Sequence, residues 1–178
     1  MLNIKDKEDN KQMSRSGYSD DYGDDDPLAL GRWRAAVRRA MNGKRGQAFL
    51  REALDALDAM PEKRLIVGEL VVDGHQCRLG DSDIIVGADE LCDKRGNPYP
   101  MGSCCLLGAV AKARKIDVSD LDPYDIGRVA PRFGIADAMT RELVYWNDEC
   151  GPRNETPEQR WQRMRKLLSG RIKEHADA

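Results

Sequence analysis

The sequence predicts a mainly α-helical α+β fold: five or six helices around a helical hairpin, with a small β-ribbon. Three observations carry that prediction. Apolar residues recur at steps of three and four from Leu30 to Met60, and again after Ala136. Two apolar, β-branched runs, Leu65-Ile66-Val67 and Leu70-Val71-Val72, precede Asp73-Gly74, a hairpin turn pair. Turn formers cluster at Asp93-Lys94-Arg95-Gly96-Asn97-Pro98 and at Leu121-Asp122-Pro123. At 178 residues the chain suits one domain, over 27–178, preceded by an arm. Only 6% of residues are aromatic, so the expected core is aliphatic.

Residues 1–26 hold eight acids against four bases and show no period, which predicts a flexible acidic N-terminal arm. Met13 is an alternative start within it. The opening residues Met1–Asp6 lack the apolar core of a signal peptide, and no apolar run approaches the ~20 residues needed to span a bilayer. A cytoplasmic location with reduced thiols is expected, and the five cysteines suit it.

The hairpin follows. Leu30, Trp33, Val37, Ala40 and Met41 line one face of its first helix; Leu50, Ala53, Leu54, Leu57 and Met60 line the second. Asn42-Gly43 reads as a stop in which glycine takes the left-handed backbone. A connection this short predicts antiparallel packing, with Trp33 and Leu54 each against the facing helix. Pro61 closes the unit. The β-ribbon is expected between 64 and 103, with Ile84-Ile85-Val86 as a further apolar patch; a helical reading of 62–72 stays open. Cys104-Cys105-Leu106-Leu107-Gly108-Ala109-Val110 opens a buried helix to about Lys115. A short helix interrupted by Pro131 covers 124–132, and another covers 136–148 with Met139, Leu143 and Trp146 on one side. The last helix starts at a capping box, with Thr156 as N-cap, Pro157 at the first position and Gln159 three residues on. Its stripe is Trp161, Met164, Leu168 and Ile172, and Arg160, Arg163, Arg165, Lys166, Arg171 and Lys173 are placed opposite.

Net charge is −2, yet the charge is segregated. From Leu28 to Arg51 stand seven bases and no acid. Six of these, Arg32, Arg34, Arg38, Arg39, Lys44 and Arg45, are the candidate nucleic-acid- or partner-binding residues. Lysine and arginine neutralise phosphates and release counterions, which gives sequence-independent affinity, and the last helix adds a second basic strip. The alternative is a solvated face balanced by the acidic arm, Glu52 and Asp55. No helix-turn-helix spacing or aromatic stacking platform accompanies the bases.

His75, Cys77, Cys92, Cys104 and Cys105 are enough ligands for tetrahedral zinc, but no C-x2-4-C pair occurs, so no metal is expected. Cys104 and Cys105 read as small packing residues at a helix start. A nucleophilic role for either needs a base, and only His75 and His175 exist. Of the carboxylate groups Asp24-Asp25-Asp26, Asp81 with Asp83, Asp89 with Glu90, and Asp148 with Glu149, most read as loop solvation rather than as the rigid, strand-held set of a metal-dependent nuclease. No GxxxxGK[ST] or GxGxxG is present, so neither a catalytic residue nor a cofactor is assigned.

Five segments carry a resemblance: Ser14–Asp21, Arg32-Trp33-Arg34-Ala35-Ala36-Val37, Gly46-Gln47-Ala48-Phe49-Leu50-Arg51-Glu52, Pro61-Glu62-Lys63-Arg64-Leu65-Ile66, and Glu155-Thr156-Pro157-Glu158-Gln159-Arg160-Trp161. Together they resemble a family of bacteriophage and prophage proteins of Gram-negative bacteria that has no assigned function. The resemblance covers most of the chain from Met13 onward and implies a small soluble phage protein. It also makes 78–104 an insertion, because relatives run almost directly into the helix matched here by Cys105-Leu106-Leu107-Gly108-Ala109. By analogy of origin, the expected function is a non-enzymatic accessory protein that binds a host protein or protein complex, as an anti-CRISPR-like inhibitor does. The alternative is sequence-independent nucleic-acid binding through the basic hairpin. A cysteine- or metal-dependent enzyme ranks below both.

Overall fold

A computed structural model describes residues 28–72 and 99–173. Six helices make up the described fold: α1 (Ala29–Asn42), α2 (Lys44–Ala59), α3 (Leu106–Arg114), α4 (Ile126–Phe133), α5 (Asp137–Asp148) and α6 (Pro157–Ser169). The acidic arm, Asp73-Gly74, the 84–86 patch and most of the 78–104 stretch lie outside the described residues.

The α2 helix is the centre of the packing, set against α1, α3 and α6. Its buried face is Gly46, Gln47, Phe49, Leu50, Ala53, Ala56 and Leu57. This is the predicted stripe rotated toward Phe49, so Leu54 and Met60 are only half-buried. The α1 stripe is as expected, with Val37 and Met41 buried and Leu30, Trp33 and Ala40 half-buried. It packs on α5 as well as on α2. Trp33 and Leu54 therefore sit at the edge of the core rather than at the centre of a two-helix seam.

The joint between α1 and α2 differs from expectation. Gly43 is extended, at φ −68° and ψ 158°, not left-handed, and it ends one helix and starts the next. Glycine is needed instead at Gly46, where a Cβ would lie 2.0 Å from the Ala40 carbonyl oxygen. No larger residue lets the two backbones approach that closely. Gln47 fixes the corner: its amide donates to the carbonyls of Met41 (2.9 Å) and Arg171 (3.1 Å), and its carbonyl accepts from Lys173 N–H (2.7 Å). The result is a helical elbow.

The expected β-ribbon is not present among the described residues. They contain no strand, only one isolated antiparallel bridge between Val71 and Cys104. The β-branched runs pair with 102–105 through Cys105 N–H to Leu70 C=O (3.1 Å) and Val72 N–H to Ser103 C=O (2.8 Å). Helices take the groups at the start of this segment, so no ladder develops there: Leu65 N–H donates to Pro157 C=O, and Asn147 and Arg160 donate to the carbonyls of Ile66 and Leu65. Gly68, at φ 79°, bends the segment between its two halves. The α3 helix lies directly on it, and a Cβ at Gly108 would stand 1.7 Å from the Leu70 carbonyl oxygen.

The capping box at α6 is present with both bonds, Gln159 N–H to Thr156 Oγ1 (3.2 Å) and Thr156 N–H to Gln159 Oε1 (2.9 Å). At the far side of the core Phe49 meets Phe133 edge to face, 6.3 Å between centroids. Arg114 covers that contact: it pairs with Glu52 through two bonds (2.5 and 2.6 Å) and donates to Phe133 C=O (2.8 Å).

Leu57 is fully buried, whereas Leu54 is not. Leu57→Ala is expected to cost about 2–5 kcal/mol by cavity formation, and Leu54→Ala distinctly less. Thermal unfolding of the two variants checks this ranking.

Candidate functional site

Arg32, Arg34, Arg38, Arg39, Lys44 and Arg45 are all exposed on the elbow. Four stand on α1 and two on α2, on the parts of the helix surface left outside by the inward-turned residues Trp33, Val37, Ala40 and Met41. Among the described residues no ion pair reaches Arg34, Arg38, Arg39, Lys44 or Arg45. Glu52, one acid expected to balance this face, is instead held by Arg114.

Local electrostatics add to the positive field. The first turns of α1 and α2 contain no acid, and neither helix has a side-chain cap. Lys44 and Arg45 therefore stand at the positive end of the α2 dipole, where a cation is disfavoured by roughly 0.3–1 kcal/mol. The fold carries this cost in a place where an anion would relieve it.

The second basic strip expected on α6 forms only in part: Arg165, Lys166, Arg171 and Lys173 are exposed, but Arg160 and Arg163 are drawn inward. Arg160 is buried and donates to Leu65 C=O (2.9 Å), with its Nε 3.3 Å from Glu155 Oε2. Arg163 bonds Glu155 twice and reaches the carbonyls of Trp146 and Asn147. Arg165 pairs with Asp58, and the Arg171 guanidinium lies 5.3 Å from the centre of the Trp146 ring. The helical period placed the first two on a polar face; the segment after α5 supplies a buried carboxylate that draws them in.

A cleft of about 400 Å³ opens beside Arg45. Ala40 and Gly46 form one wall, and the α4–α5 turn, Gly134-Ile135-Ala136, forms the other above Met139. Gly134, left-handed at φ 69°, makes that turn. The volume is within the usual range for ligand pockets, and the lining other than Arg45 is apolar. Sequence reasoning missed this feature. Gly134 signals a helix stop, but nothing local says that the stop faces the elbow.

The other chemical candidates resolve differently. Burial pushes the Cys104 thiol from 9.0 up to about 11 and raises that of Cys105 as well, so position before α3 does not activate either. Asp148, read from sequence as loop solvation, ends α5 and is half-buried. Burial raises its carboxyl, against bonds from Asn147, the Tyr124 hydroxyl (3.0 Å) and Gly68 N–H. The adjoining cavity is only about 10 Å³, room for a single water. Among the described residues no group of three or more His, Cys, Asp or Glu could hold a metal ion. His75, Cys77 and Cys92 lie outside those residues. Among the described residues no helix is long and apolar enough to cross a membrane.

No family model matches the chain, and neither a curated protein nor a solved structure does.

The raised thiols set a pH dependence. A thiol whose folded pKa lies above its unfolded value contributes stability below the unfolded value, lost as pH rises through the folded one. Thermal stability is expected to fall between pH 9 and about 11, and less steeply in Cys104→Ala. Native alkylation at pH 8 should label exposed Cys150 and spare Cys104 and Cys105, as peptide mass mapping would show.

Proposed function

We propose that this chain is a non-enzymatic accessory protein that works by binding, with the outer face of the α1–α2 elbow as its working surface and an acidic protein surface as its partner. One observation carries the reading: Arg34, Arg38, Arg39, Lys44 and Arg45 are exposed and meet no ion pair among the described residues, and Arg45 borders a cleft walled by apolar side chains. Arginine beside a pocket of apolar side chains is the composition of protein–protein hot spots. Exposed Leu28, at 66%, adds an apolar side chain at the start of the same helix. The resemblance to phage and prophage proteins supports a host protein or complex as that partner, with inhibition of a host defence system, in the manner of an anti-CRISPR protein, as the outcome.

Nucleic-acid binding is the second reading, favoured by the seven bases and no acid between Leu28 and Arg51. The cleft tells against it. Phosphate contacts need charge spaced along a backbone, whereas Arg45 alone among the six bases lines the cleft.

Arg38→Glu with Arg45→Glu separates the two, one change on each arm of the elbow. Both sites are exposed, so unfolding should shift by no more than ~0.5 kcal/mol. Poly-L-glutamate binding is expected to fall at least tenfold, while wild-type protein binds duplex DNA weakly or not at all at ~150 mM salt. Sub-micromolar duplex binding with a log–log salt slope of about −0.9 per phosphate, abolished in the variant, would put the nucleic-acid reading first.

A further inference from the structure

The cleft has a chemistry of its own, apart from the charged face beside it. Its walls come from Ala40 on α1, Gly46 on α2 and the α4–α5 turn, above Met139 of α5. No aromatic ring lines it, and three hydrogen-bonding groups of the turn are already taken. Gly134 N–H donates to Pro131 C=O (3.1 Å), Ile135 N–H donates to Ala130 C=O (3.2 Å), and Ala136 C=O accepts from Thr140 N–H (3.0 Å). Arg45 is the one charged side chain on the cleft, and among the described residues it meets no carboxylate. We propose that the cleft binds a small aliphatic monocarboxylate, a medium-length acyl chain between the walls with its carboxylate on Arg45. The inference rests on the cleft alone and does not need the elbow to be a partner surface.

Each part of that ligand follows from the lining. A guanidinium offers two parallel bonds to a carboxylate, and a single guanidinium matches one anionic head group rather than a run of phosphates. Walls of alanine, glycine, isoleucine and methionine reward methylene groups, at about fourfold in affinity for each one fully removed from water. An aromatic ligand would gain from a facing ring, and the cleft has none. Met139 is unbranched and fits irregular apolar shapes, so chains of different length can be accommodated.

Space and access agree with this. A volume of about 400 Å³ stands near the lower end of the range for small-molecule sites, which suits a slender chain. The side at the turn is open, because a Cβ built on Gly134 would have no neighbour within 4 Å. A chain seated there touches the elbow and the turn together, so binding favours the folded state and raises the unfolding temperature. A partner side chain that enters the same cleft competes with it.

Titration of the full-length protein with sodium butyrate, hexanoate and octanoate, followed by NMR, tests the proposal. Saturable shifts are expected at the amides of Arg45 and Gly46 and at the methyl groups of Ala40, Ile135, Ala136 and Met139. Octanoate should bind about tenfold or more tightly than butyrate. Arg45→Gln should weaken octanoate by roughly fivefold or more, yet leave octanamide, the uncharged analogue, bound as in wild type. Ala136→Trp, at an exposed position, should block octanoate and octanamide alike, with an unchanged unfolding temperature showing that the fold is intact. Equal affinity for butyrate and octanoate, or no loss of octanoate in Arg45→Gln, would overturn the proposal. Shifts that never saturate, or that spread across the whole surface, would mark adventitious binding only and overturn it too. Poly-L-glutamate reports the outer bases and octanoate reports the cleft, so the two readings fail separately.

Discussion

Glu155 is buried between two arginines, and much of the molecule depends on that arrangement. Its carboxylate meets Arg163 at 2.5 Å and Arg160 at 3.3 Å, with both acid and Arg160 almost wholly out of solvent. A buried carboxylate without partners costs several kcal/mol, so the two guanidinium groups are held where the acid is. Their remaining donors then take the carbonyls of Leu65, Trp146 and Asn147, which ties α6 to the end of α5 and to the segment after α2. With α6 so placed, Trp161 donates to Leu57 C=O and Arg171 presents its carbonyl to Gln47. The elbow is thus positioned from the opposite end of the chain.

The same cluster decides where the positive field lies. Arg160 and Arg163 are drawn inward, Arg165 is matched by Asp58, and Arg114 by Glu52. The α1–α2 corner, by contrast, concentrates bases at a helix N-terminus without a cap or an acid. The helix dipole disfavours this, and Asp or Glu at Lys44 would suit it better. Local rules broken without benefit to the fold are most often broken for function.

What was legible in the sequence was local. The α1 stripe follows from a 3.6-residue period, and the α6 start follows from three residues, Thr156, Pro157 and Gln159, that bond one another. The six basic residues are exposed because the stripe beside them is buried. What was not legible depends on partners far away in sequence. Leu65 to Val72 has the composition of a strand, yet Pro157, Asn147 and Arg160 take the hydrogen bonds of Leu65 and of the Ile66 carbonyl. Gly46 was unremarkable until the Ala40 carbonyl was found against it. The cleft needs Gly134-Ile135-Ala136 to face Arg45 across ninety residues of chain, which no period or cap encodes.

The α1 helix therefore has two sides subject to separate rules of change. Trp33, Val37 and Met41 are packed into the core, and replacing them disturbs everything they touch. Arg34, Arg38 and Arg39 touch none of it, so a lineage can rewrite them one at a time at a cost of tenths of a kcal/mol. Such a helix can drift toward a new target, or follow an old one that mutates, without renegotiating its own fold. Divergence among descendants should accumulate on the outer face of the elbow first.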